Sequence, residues 1–296
     1  MSELEQVELD YRQRFVFDEV DVRGCIVRLE KTCRNIQATH HYPSSLADLL
    51  NQFALAATLL RDSVKIDGSL TIQLRSEGAI KLIMADCLSD RRIRAISEYD
   101  QEHVFASGPI HLNDLDSSAV LAITITPDEG ERYQSIVPIE NATLAECLRD
   151  YFERSEQFPS SFNFFANSKM ALGIVLHALP QQRVRDTKEA QEKFTHLNVL
   201  LNSLTQDEAI SLSSQDILTR LFHEESCRLF DSNLVEFGCV CSREKSFDAI
   251  HSLHKDELRA LIETEKKKDR KSLVVDCHFC FQRYEFDFQE LTQSID

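Results

Sequence analysis

The sequence predicts an α+β fold: an amino-terminal domain of mixed sheet and helix over residues 1–180, a helical linker region over 181–234, and a small cysteine-bearing carboxy-terminal domain over 235–296. Three observations predict it. In the first part, apolar alternation and helical periodicity follow one another without a regular strand–helix–strand beat. A polar, charged stretch without apolar periodicity begins at Gln181, as a linker does. Two closely spaced cysteine pairs then fall within the last segment of a 296-residue chain, long enough for one full core and a smaller appended unit.

Residues 15 to 29 are rich in Phe, Val and Ile and read as extended chain bent at Gly24. A helix follows, capped by Ser45 with Asp48 three residues on; Leu46, Leu49, Leu50, Phe53, Ala57 and Leu60 recur at three- and four-residue steps. Val64 to Leu74 alternates on both sides of Asp67-Gly68, which predicts a hairpin turning there. A second strand pair runs through Val120 to Thr126 and Ser135 to Val137, joined by a polar turn from Pro127 to Arg132. Thr143 and Glu146 form a capping box for a helix that buries Leu144, Cys147, Leu148, Tyr151 and Phe152. An apolar strand near Leu172 to Leu176 ends the domain close to Pro180.

The linker starts as a polar run from Gln181 to Lys193. Phe194, Leu197, Leu201 and Leu204 then share one helix face, and Ser213 with Asp216 starts another helix carrying Ile217, Leu218, Leu221 and Phe222. These stripes must be buried against the amino-terminal domain or against a partner.

Composition narrows the function. Hydrophobic residues at 43% and charged residues at 28% are ordinary globular usage, so wholesale disorder is not indicated. A formal net charge of −16 opposes non-specific attraction to nucleic acid. The acidic start from Met1 to Glu8 is unlike a secretory signal, and no run is apolar enough to span a bilayer, so a cytoplasmic protein is expected. In that reducing compartment nine cysteines read as buried thiols, metal ligands or redox groups rather than permanent bridges.

The informative motif is Cys239-Val240-Cys241 with Cys277-His278-Phe279-Cys280. Four thiolates close a tetrahedron around zinc with no open position, the structural kind of site; an iron–sulfur site also takes cysteines. A small unit with modest apolar content (Phe247, Ile250, Leu253, Leu258, Leu261, Ile262, then Leu273 to Val275 and the alternating Tyr284, Phe286 and Phe288) needs such a staple. His278, His251 and His254 are alternative ligands, set aside because four thiols are already present. The run Lys266 to Lys271 reads as a solvated loop, and Cys25, Cys33, Cys87, Cys147 and Cys227, with no partner at ligand spacing, as small core residues.

The chain resembles the heat-shock protein 33 family of redox-regulated holdase chaperones over nearly its whole length. The most specific match is Val235-Glu236-Phe237-Gly238-Cys239-Val240-Cys241-Ser242-Arg243-Glu244 with the Cys277 to Cys280 pair; Val22-Arg23-Gly24, Ile125 to Gln134, Asp150 to Gln157 and Leu221 to Glu225 support it. The resemblance implies one Zn2+ per chain in a reduced, inactive form. It also implies an oxidised form with disulfides Cys239–Cys241 and Cys277–Cys280, no zinc and an unfolded linker, which binds unfolding client proteins as a homodimer without hydrolysing nucleotide. Phe194, Leu197, Leu201, Leu204, Ile217, Leu221 and Phe222 are the candidate client-binding residues. Two features depart from the family pattern: a longer gap between the cysteine pairs, which costs little closure entropy, and Phe281 where a glycine is common. Glycine takes a positive φ freely and phenylalanine does not, so a looser or differently shaped site is expected.

No phosphate-binding glycine loop and no His-Glu-x-x-His occur, so an enzyme is not expected. The alternatives are a thiol-disulfide oxidoreductase using Cys277 and Cys280, and a zinc-ribbon nucleic-acid module. The strand-like alternation of Phe281 to Phe288 opposes the first, because a redox cysteine normally opens a helix. Net charge opposes the second.

Overall fold

A computed structural model describes residues 10–64, 67–156, 159–180, 183, 184 and 186–293, which fall into two compact units, Met1–Gly238 and Cys239–Asp296. In chain order the first unit contains β1 (Tyr11–Phe17), β2 (Val22–Leu29), α1 (Lys31–His40), α2 (Ser44–Ser63), β3 (Gly68–Arg75), β4 (Ile80–Cys87), β5 (Arg92–Tyr99), β6 (Val120–Pro127), β7 (Tyr133–Val137), α3 (Leu144–Tyr151), β8 (Ser160–Ala166), β9 (Ala171–Ala178), α4 (Thr187–Leu201), α5 (Gln206–Ser211), α6 (Ser214–Phe222), β10 (Cys227–Leu234) and β11 (Glu236–Phe237). The second contains α7 (Arg243–His251), α8 (Lys255–Lys266), β12 (Ser272–Asp276), β13 (Arg283–Asp287) and α9 (Phe288–Gln293). The fold is α+β, as the sequence predicts.

Two sheets organise the first unit, one ordered β10-β1-β2-β9-β8 and the other β11-β5-β4-β3-β6-β7. Between them lies α2, whose residues from Leu46 to Leu60 are apolar on nearly every side; a helix without a polar face has nowhere to go but a core. It packs on the β2 and β9 face that carries Cys25, Val27, Leu29 and Val175, and on Leu70, Ile72, Ile83 and Ile93 of the other sheet. Strand alternation turns the remaining residues of the first sheet the opposite way. There Phe15, Phe17, Val22, Ile26, Leu172, Ile174 and Leu176 form a second core with α4, α5 and α6.

Several local expectations are corrected. Gly24 does not bend the chain: β2 runs through it, and the absent side chain makes room for the ring of Phe15, its direct cross-strand partner. Ser45 does not cap α2, which begins at Ser44 behind Pro43; Pro43 ends in an extended ψ of 145° and its carbonyl accepts the Ala47 N–H. The Asp67-Gly68 hairpin is not formed. Val64 closes α2, Lys65 and Ile66 lie outside the described residues, and Gly68 opens β3, where a side chain would collide with the Thr126 carbonyl of β6. The polar run to Lys193 is helical from Thr187, because Asp186 accepts from the N–H groups of Lys188 and Glu189 and the first turns face solvent. The β6–β7 pair and the Thr143–Glu146 capping box form as read, with Thr143 Oγ accepting the Glu146 N–H at 3.2 Å.

Two further features bear on the site. The Asp10 carboxylate accepts the backbone N–H groups of Glu30, Lys31 and Thr32 at 2.6, 2.9 and 2.7 Å, capping α1 from across the chain, while its carbonyl accepts the Val235 N–H at 3.1 Å. The edge strand β10 pairs antiparallel with β1 from Tyr11↔Leu234 to Phe17↔Cys227, so the end of this unit is sewn to its beginning. By contrast α4 meets β8 through amides: Asn163 Nδ2 donates to Asn202 Oδ1 at 3.0 Å, and Ser161 Oγ to Asn198 Oδ1.

Gly24→Ala tests the Phe15 packing. An added Cβ would sit 2.1 Å from Phe15 Cζ, and that ring is fully buried against Phe17 and Phe222. Denaturant unfolding should show a loss of about 1–3 kcal/mol, the usual cost of overpacking.

Candidate metal centre

The four cysteines of the second unit arrive on an irregular stretch, 239–241, and on a tight turn, 277–280. The first follows directly from Gly238, and its exit is fixed by Ser242, whose Oγ accepts the Lys245 N–H at 3.1 Å to cap α7; Lys245 Nζ reaches back to the Val240 carbonyl at 3.0 Å. The second connects β12 to β13. Cys277 N–H donates to the Gln282 carbonyl at 2.9 Å and Phe281 N–H to the Cys277 carbonyl at 2.8 Å, closing the turn, after which the chain continues as strand and not as helix. The β12–β13 register, Val275↔Tyr284 and Asp276↔Arg283, and the Arg243–Glu290 ion pair hold the surroundings.

All four sulfurs lie within 4.8 Å of one another, with Cys239 Sγ 3.6 Å from Cys277 Sγ and Cys241 Sγ 3.5 Å from Cys280 Sγ. Tetrahedral zinc with Zn–S bonds of about 2.3 Å sets its ligands about 3.8 Å apart, so the spacing fits a four-thiolate site. The thiols are uncrosslinked. Burial pushes the Cys277 thiol up, and burial together with the neighbouring sulfurs pushes Cys280 up to about 12. Sulfurs this close cannot all ionise in neutral water unaided; a divalent cation supplies the charge that lets them. Backbone N–H groups of Phe279 and Cys280 at Cys277, and of Gln282 at Cys280, work in the same direction by favouring thiolate. The donor set therefore fits a metal ion, and among the described residues it is the one group of candidate ligands.

The histidines stand outside it. His251 Nδ1 faces the Phe247 carbonyl at 2.9 Å, His254 caps α8, and His278 is exposed. Of the lysine run, Lys268 pairs with Glu265, as does Arg270. Cys25, Cys33, Cys87 and Cys147 are buried and Cys227 half-buried; burial raises all five thiols, Cys87 to about 12 and Cys227 to about 11, which keeps them protonated and poorly nucleophilic.

The seven apolar residues singled out as client-binding candidates do come together, in the second core of the first unit. Leu197, Leu201, Leu204, Ile217, Leu221 and Phe222 are buried there, and Phe194, half-buried, packs at its edge. Sequence reasoning missed the hydroxyl of Tyr284, which donates to Cys241 Sγ at 3.2 Å; the Tyr284, Phe286, Phe288 alternation marks a strand face but carries no sign of a contact with sulfur. Phe281 does adopt the conformation a glycine would take, at φ 54°, with its ring half exposed to solvent.

The sequence profile of the family described as "Hsp33 protein" matches residues 10–287. The chain belongs to the Hsp33 family. Among Hsp33 relatives, proteins named 33 kDa chaperonin are 41% identical over 284 residues in Pseudomonas aeruginosa, covering 96% of this chain and 94% of that protein. In Pseudomonas fluorescens one is 40% identical over 287 residues, covering 97% and 94%. The crystal structure of the 33 kDa chaperonin (heat shock protein 33 homolog) of Thermotoga maritima has the same Hsp33 fold, with a TM-score of 0.79 over 97% of this chain and 98% of that one at 22% identity. Family and four-thiol cluster together fit a chaperone.

Phe281→Gly should relieve the left-handed backbone strain, worth about 1 kcal/mol. Competition with a zinc chelator is expected to show metal held about fivefold more tightly than in the unaltered chain. Equal affinity would mean that the turn carries no strain into the site.

Proposed function

We propose that this Hsp33 chain is a redox-regulated, ATP-independent holdase of the cytoplasm, inactive while its thiolates hold one Zn2+ and active once they are oxidised. The observation that carries the reading is the convergence of Cys239, Cys241, Cys277 and Cys280 in a unit whose core, among the described residues, has seven buried apolar side chains. When bound, zinc would supply on the order of 10 kcal/mol of folding free energy, comparable with the stability of a whole domain.

Oxidation removes that support. One peroxide, reduced to two waters, converts two thiols to one disulfide. The pairs that the resemblance implies, Cys239–Cys241 and Cys277–Cys280, each require two sulfurs to close to about 2.05 Å, far inside the ~3.8 Å that separates the ligands of a tetrahedral zinc. Forming them draws each cysteine pair in on itself, so the disulfide geometry competes with the ligand geometry. A unit with so small a core does not survive that exchange.

Melting then spreads along the chain. Gly238 joins Cys239 to β11, a two-residue strand, and to β10, an edge strand with most side chains in solvent. Loss of these releases α4–α6, and the bared residues of the second core, with the helices' own Phe194, Leu197, Leu201, Leu204, Ile217, Leu221 and Phe222, bind the apolar segments of unfolding clients. The oxidised chain acts as a homodimer and binds neither nucleic acid nor membrane; among the described residues no helix is long and apolar enough to cross one.

Three readings on the same samples test this. Reduced protein should contain one zinc per chain and leave a heat-unfolded client to aggregate; peroxide-treated protein should have lost the zinc and suppress aggregation without ATP. Hydrogen exchange should accelerate from about residue 183 to the carboxy terminus on oxidation while α2 and its two sheet faces stay protected. Oxidised, client-binding protein that keeps full protection from Ser213 to Asp287 would falsify activation by unfolding.

A further inference from the structure

Tyr284 is placed for two tasks at once. Its position on β13 opposite Val275 turns the ring towards the core side of the strand, two residues before the fully buried Phe286, and the ring packs against that core. A phenylalanine would fill the same space. The hydroxyl extends past the core to Cys241, 3.2 Å from Sγ, and that sulfur is its hydrogen-bond partner. It also crosses between the two cysteine segments of the site, because Tyr284 follows the Cys277–Cys280 turn while Cys241 ends the 239–241 stretch.

We propose that Tyr284 is a positioning residue of the thiol switch, its hydroxyl holding the Cys241 sulfur in the ligand position and restraining that sulfur's attack on peroxide. The proposal rests on the redox reading above. A hydrogen bond donated to a thiolate draws electron density from the lone pair that would otherwise be given to an oxygen of peroxide. Attack by Cys241 breaks the peroxide O–O bond and forms an S–O bond; one oxygen leaves as hydroxide and takes a proton from solvent, and the sulfur becomes a sulfenic acid. A second thiolate then displaces that hydroxyl to form the disulfide, and a second water leaves. Before the first step the Tyr284 O–H must turn away from the lone pair, which adds to the barrier. The same bond stabilises the sulfur as a metal ligand, as donors around ligating groups generally do. Tyr284 therefore sets how much oxidant the switch tolerates without taking part in the bond exchange.

The test is Tyr284→Phe in the full chain, which keeps the ring and removes only the donor. Zinc competition with a chelator should show affinity lower by about 10-fold, the low end for loss of a partner of a ligand. Peroxide should oxidise Cys241, followed by mass spectrometry, several-fold faster. With cobalt(II) in place of zinc, the thiolate-to-metal charge-transfer band should move to lower energy, since the sulfur has regained electron density; a merely structural role would not move it. Replacing Tyr284 by 4-aminophenylalanine, which restores an N–H donor, should return all three towards the unaltered protein and keeps the test decisive if the phenylalanine variant folds poorly. Unchanged affinity, oxidation rate and band in Tyr284→Phe overturn the proposal while leaving the redox reading intact. An unaltered chain whose four thiols take up neither zinc nor cobalt overturns both.

Discussion

Four sulfurs held within a few ångströms have no reason of their own to stay there. As thiols they make poor hydrogen bonds with one another, and as thiolates they repel. The second unit is nevertheless built around that meeting: β12 and β13 are short, α9 is a turn and a half, and the apolar cluster that includes Ile250, Leu258, Ile262, Leu273 and Phe286 is small. A bound metal ion would reconcile them and, on the function proposed above, would hold the unit folded. On the function proposed above, the chemistry that removes their ligand character would remove the structure with it, and redox state and folding state would be one variable.

The first unit shows the complementary arrangement, a sheet whose two faces are covered on different terms. On one side α2 is apolar all round and closed in by a second sheet, with no water-facing alternative for its residues. On the other, α4 buries Leu197 and Leu201, turns its first turns to solvent and meets β8 through Asn–Asn and Ser–Asn contacts. Amide pairs at a wet edge are replaced by water at little net cost. On the function proposed above, the helices over the second core would therefore be the layer that leaves first, and α2 the layer that stays.

Much of this is legible in the residues. Periodicity gave α2, periodicity with capping gave α3 and α6, alternation gave β6 and β7, and ligand spacing gave the cysteine quartet, because each is a local pattern with one dominant physical cause. The strands β4, β5, β8 and β10 were not read. Their partners lie far away in sequence, and β10 has almost no apolar side to announce it. Gly24 and Gly68 were read as punctuation, although both serve close approach of a neighbour: a ring in one case, a carbonyl in the other. A sequence marks where a glycine stands but not which distant atom needs the space. The Tyr284 hydroxyl escaped for the same reason, since its partner Cys241 belongs to the other, distant cysteine pair.

The pairing of β10 with β1 has a consequence for the birth of the protein. The strands that carry the apolar face, β1, β2 and β9, are complete once Ala178 has been added, but the helices that cover the face and the strand that closes the sheet run on to Leu234. At about 5–20 residues per second, translation of that stretch takes roughly 3–11 s. Every new copy therefore spends seconds at the ribosome with a broad apolar sheet face uncovered. During that interval the nascent chain is itself in need of shielding.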